Sequence, residues 1–153
     1  MKLAEALVLR ADTQKKIAQL RQRLERVVKV QEGELPAEDP SSLLRELEQT
    51  LDEQTEWIRK INRTNATVSF AEGLSISDAL AERDRIMQHR KLLGDVLEQA
   101  SIKQDRFSRS EVKYERTIDV VQIQTKVDAL SKAYREYDFR IQELNWRTDL
   151  LEE

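Results

Sequence analysis

The amino-acid sequence predicts an all-α fold: an antiparallel four-helix bundle with long first and last helices and a short extended excursion before the last one. Three observations carry this. Charged residues make up 36% of the 153 residues and aromatics 5%, the balance of solvated amphipathic helices rather than sheets. Three Gly and two Pro are too few for the turns of a β-rich chain. Four stretches repeat apolar residues at alternating three- and four-residue steps.

The first stretch places Leu3, Ala6, Arg10, Thr13, Ile17, Leu20, Leu24, Val27 and Gln31 on one seam, with Arg10 and Thr13 breaking its apolar run. Gly33 is the expected left-handed stop. The second carries Leu44, Leu47, Leu51, Gln54, Ile58 and Ile61, widened by Leu43 and Trp57. It opens with Asp39 as N-cap and Pro40 at the first helical position. The third holds Ala79, Arg83, Ile86, Arg90, Leu93, Leu97 and Ala100, capped by Ser75 or Ser77. The fourth runs Val120, Ile123, Val127, Leu130, Tyr134, Tyr137, Ile141, Leu144, Thr148 and Leu151. Asp119 and Gln122 form a capping-box-like start there, with Ile118 stapled onto Ile123.

Helices one and four should each extend about 30 residues, roughly 45 Å, and outrun a shorter middle pair. The uncovered apolar stripe then calls for self-association, so the expectation is one domain over residues 1–153 that forms a homo-oligomer. Residues 63–74 and 102–118 lack helical periodicity. Val112, Tyr114, Arg116 and Ile118 alternate with Lys113, Glu115 and Thr117, which marks a short strand, and Thr67 to Phe70 are β-prone residues able to pair with it.

The chemistry-bearing patterns are mostly absent. Without cysteine there is no disulfide framework, thiolate metal site or cysteine nucleophile. His89 is the sole histidine and has Ile86 three positions before it, so no Glu-x-x-His di-iron pattern exists. No phosphate loop or nucleophile elbow occurs, and neither catalytic residues nor a cofactor are expected. The net charge of -3 and the absence of a long apolar run argue against nucleic-acid and membrane partners, and place the chain in the cytoplasm. Lys103, Arg106, Phe107, Arg109, Lys113, Tyr114 and Arg116 interleave basic and aromatic residues, but Asp105, Glu111 and Glu115 cancel much of that charge. Trp57 and Trp146 should anchor packing.

Up-down topology gathers one set of polar residues at a single bundle end: Arg10, Asp12, Asn62, Asn65, Arg83, Asn145 and Arg147. Such arginines among amides can bind an anion. The alternative is a structural network with Asp12, Asp84 and Glu136 that sets helix register.

The opening Met1-Lys2-Leu3-Ala4-Glu5-Ala6-Leu7 and Leu9-Arg10-Ala11-Asp12 carry a resemblance, together with Ile61–Asn65, Leu80–Asp84, Ser108–Glu111 and Asn145–Thr148. These stretches are similar to the septicolysin-like family of small bacterial helical proteins, whose function is largely undefined. The resemblance implies a membrane-active cytolysin as an alternative role and transfers no catalytic residues. From the residues themselves, the leading expectation is a non-enzymatic, self-associating scaffold or protein-interaction module.

Overall fold

The computed structural model describes residues 1–101 and 112–153. Four helices and a two-stranded sheet follow in the order α1 (Leu3–Val27), α2 (Pro40–Thr67), β1 (Ser69–Ala71), β2 (Leu74–Ser75), α3 (Ile76–Gln99) and α4 (Val120–Arg147). The described chain divides into two compact units, one of Met1–Ser77 with Gln142–Glu153 and one of Asp78–Ile141.

In the first unit, α1 begins where the Glu5 carboxylate accepts the Lys2 backbone N–H at 2.7 Å, satisfying a donor that no helical carbonyl can reach. α2 starts on the Asp39-Pro40 signal. Asp39 accepts the Ser41 N–H at 3.2 Å and the Ser42 hydroxyl at 3.0 Å, and proline at the first position loses no helical bond. Leu20, Leu24, Val27 and Leu43 form a buried cluster between the two helices, with Leu47 packed against it. Ion pairs flank the cluster: Lys16 with Glu46 at 3.4 Å, and Arg23 reaching both Glu38 oxygens. From Lys16 to Arg23 along α1, the partners step back from Glu46 on α2 to Glu38 just before it.

Two expectations about lengths are corrected. α1 stops at Val27, not Gln31, and has 25 residues against 28 in both α2 and α4 and 24 in α3. The long pair is therefore not the first and last helices. Beyond Val27 the seam has no apolar partner: Val28 and Val30 are exposed, and β-branched residues add little helix propensity of their own. Gly33 takes φ +84° in a separate turn, where the Glu34 N–H donates to the Gln31 carbonyl at 3.0 Å.

The extended element also differs from expectation. β1 pairs antiparallel with β2 next door, Ser69 opposite Ser75 and Ala71 opposite Leu74, around Gly73 at φ +73°. Residues 112–117 form no strand. A local hairpin closes a far shorter loop than a pairing across more than 40 residues, so its entropic cost is lower. The hairpin buries Phe70 and delivers the Ile76 N–H to the Val68 carbonyl at 3.0 Å, which starts α3 immediately after Ser75.

The unit is closed by its termini. The Leu3 N–H donates to the Thr148 carbonyl and the Leu150 N–H to the Met1 carbonyl, each at 2.9 Å, around an antiparallel bridge between Lys2 and Asp149. The Leu151 N–H donates to the Thr64 hydroxyl at 2.9 Å, and Lys60 pairs with Glu152 at 2.8 Å. Leu3, Ile61, Thr64, Ile76 and Leu150 are all buried.

The second unit holds most of α3 and α4. The Gln122 N–H donates to the Asp119 carboxylate at 3.1 Å, the cap expected for α4. Val120, Ile123, Val127, Leu130, Tyr134 and Tyr137 are half-buried and Ile141 is buried, so the seam residues of α4 in this unit are all at least partly screened from solvent. Arg83 pairs with Asp138 at 2.8 Å, and the Arg90 Nε–H donates to the Ser131 hydroxyl at 2.5 Å.

Candidate functional site

The polar residues predicted to form a cluster fall in both units. Arg83, in the second, is the most engaged. Besides Asp138 it lies 3.6 Å from Asp84, while its Nε is buried without a hydrogen-bond partner among the described residues. Asp84 was an expected partner. Asp138 was not, and Glu136 instead lies 4.0 Å from Lys132. A helical signal for Asp138 was present: it sits four residues after Tyr134 on α4, the same-face spacing of a seam residue.

In the first unit, Arg10 is half-buried. Its carbonyl accepts the buried Thr13 hydroxyl at 2.6 Å, and its guanidinium has no partner among the described residues. Asp12 and Asn62 are exposed, Asn65 is half-buried, and Asn145 is only 6% exposed. Arg147 is exposed and pairs with Glu143 at 2.7 Å, while its carbonyl accepts from the Lys2 ammonium at 3.2 Å. Among the described residues no hydrogen bond or ion pair links any two of these six. Lys103, Arg106, Phe107 and Arg109 of the basic-aromatic segment lie outside the described residues, as does the Ser108–Glu111 stretch. Tyr114 is exposed, and Arg116 donates to the Ala100 carbonyl at 2.8 Å.

Both tryptophans were expected to anchor packing. Trp57 is half-buried with the Lys60 ammonium 5.6 Å from its ring centroid, although its buried Nε1 has no hydrogen-bond partner among the described residues. Trp146 is 61% exposed, a correction with a simple cause: it follows Asn145 by one position, and that step turns it off the buried face of α4.

A second feature was not singled out by the sequence. An open groove of about 370 Å³ runs along α1 and α2, lined by Ile17, Leu24 and Val28 on one side and Leu47 and Leu51 on the other. Arg21 and Glu25, paired at 3.2 Å, rim it. The groove continues the seams that bury Leu20, Leu24 and Leu43, but here the apolar residues meet solvent: Val28 is 63% and Leu51 43% exposed. Its signal was Ile17, Leu24, Leu47 and Leu51, seam residues at three- and four-residue steps on both helices.

Three carboxylates elsewhere in the unit are tied to structural pairs. The Arg23 guanidinium holds the Glu38 carboxyl below its ordinary range, and the Lys2 and Lys60 ammonium groups do the same for Asp149 and Glu152. Among the described residues no group of three or more His, Asp or Glu side chains could hold a metal ion, and no helix is long and apolar enough to cross a membrane.

The chain is similar over 99% of its length to a functionally unknown conserved protein from Corynebacterium diphtheriae, known from its crystal structure. The two share 45% sequence identity at a TM-score of 0.92, and the match covers 99% of that chain as well. No curated protein matches. The septicolysin-like resemblance is overturned, because the opening and recurring stretches that suggested it sit within a chain that matches a different family model. With residues 10–150 matched by that model, the chain belongs to DUF6847, a family of unknown function.

Proposed function

We propose that this chain is a non-enzymatic, self-associating protein-interaction module of the cytoplasm, with its helices in an antiparallel four-helix arrangement. The carrying observation is the apolar groove on α1 and α2, open to solvent and rimmed by only one cation and one anion. Apolar surface of this kind is costly to leave in water, and association is the common way to cover it. Projecting outer helices do not supply the uncovered stripe, since α1 is shorter than α2. Reversed partner order along α1 and α2, and along α3 and α4, supports the antiparallel arrangement.

Light scattering across micromolar concentrations tests this reading. The expected species is at least twice the 17.9 kDa chain mass, and Leu51→Glu should shift it toward the monomer with helical content unchanged. A 17.9 kDa wild-type species at every concentration refutes self-association. A small-anion site is the second reading, favoured by the half-buried Arg10, whose guanidinium has no partner among the described residues, and by the nearly buried Asn145.

A further inference from the structure

We infer that the α1–α2 groove receives the same groove of a second copy, across a two-fold axis that passes α1 midway between Arg21 and Glu25. The inference rests on the self-association proposed above and names its surface and register. The ridge beside the groove carries one cation and one anion, four residues apart on a single helix and about 6 Å along its axis. Under an antiparallel two-fold, Arg21 of each copy lies opposite Glu25 of the other, so both charges are answered twice over. The same operation brings Ile17 and Ala18, toward the amino-terminal side of the ridge, opposite the exposed Val28 of the second copy.

This charge pattern selects the occupant. An acidic segment laid in the groove would leave Glu25 facing like charge, and a basic one would do so to Arg21. A purely apolar segment would leave both without a partner beyond each other. Against these occupants a second copy matches cation to anion in both directions, and a closed two-fold contact uses the patch once and stops, as isologous interfaces do. Opposite charges at such a rim choose register and partner more than they add affinity.

The test is charge reversal read by sedimentation velocity. Arg21→Glu and Glu25→Arg each place two repulsive pairs in the homodimer by symmetry, and each should weaken dimerisation by about tenfold. Circular dichroism should stay unchanged, because an exposed pair four residues apart contributes little to the helix. An equimolar mixture of the two variants pairs glutamate with arginine at both positions and should restore the dimer. The double variant Arg21→Glu/Glu25→Arg should dimerise as the wild type does. A dimeric wild type whose variants all keep wild-type dimer strength overturns this surface while leaving self-association standing. Weakened single variants that fail to rescue one another overturn the register. A monomeric wild type overturns both readings.

Discussion

Thr64→Val removes one oxygen and keeps the shape of the side chain. Thr64 has no solvent exposure. Its hydroxyl donates to the Lys60 carbonyl at 2.8 Å and accepts the Leu151 N–H at 2.9 Å. The Lys60 carbonyl keeps its helical bond after the substitution. The Leu151 amide does not, since it lies in an extended tail with no ladder of its own. Leaving a buried donor unsatisfied costs about 1–3 kcal/mol, and Leu151 is half-buried, which favours the lower half of that range. The added valine methyl offsets up to about 0.8 kcal/mol. The net loss is about 1 kcal/mol, or roughly 2–4 °C in melting temperature for a chain of this size. The sharper assay is amide hydrogen exchange, in which the Leu151 amide should lose its protection. Thr64→Ser is the control: it loses a buried methyl and some stability but retains the acceptor, so the amide stays protected. A Val variant with wild-type protection at Leu151 and an unchanged melting point refutes the reasoning, and with it the tail's attachment through Thr64.

Two further outcomes follow from the ion pairs. Arg83 and Asp138 are paired with side chains 22% and 28% exposed, so Arg83→Met should destabilise by about 1–3 kcal/mol, discounted for residual solvation and independent of added phosphate; Arg10→Met should shift stability within about 0.5 kcal/mol unless phosphate is present. Thermal melts with and without phosphate check both, and an anion-dependent loss at Arg83 would overturn its structural role. The lowered carboxyls of Glu38, Asp149 and Glu152 fix a pH dependence. Because each titrates lower folded than unfolded, the stabilisation is fully present above the ordinary carboxylate range and disappears as pH falls through the lowered folded values. Melting against pH for the wild type and Asp149→Asn should therefore converge at low pH. Curves that stay equally separated to pH 2 would refute it.

Local chemistry determined much of this protein before any tertiary contact formed. Asp39-Pro40 starts α2 and Asp119 starts α4, because a carboxylate one position before a helix satisfies donors within its own first turn. The α4 seam from Val120 to Ile141 is at least partly screened throughout, since a 3.6-residue period puts those side chains on one face wherever the helix lies. What needed a distant partner was not legible. α1 ends at Val27 because its apolar face runs out of α2 to meet, not because of Gly33. Ser69–Ala71 pairs with its neighbour across Gly73, although β-propensity alone was equally compatible with a partner 40 residues away. Arg83 reaches Asp138 rather than Glu136, a choice made by the rotation of α4 against α3. The polar residues proposed as one cluster are each legible as seam or seam-adjacent positions, yet their partners are not. The clasp between Met1–Leu3 and Thr148–Leu151 is made largely of backbone donors and acceptors, which every residue carries, so only the folded chain could select them.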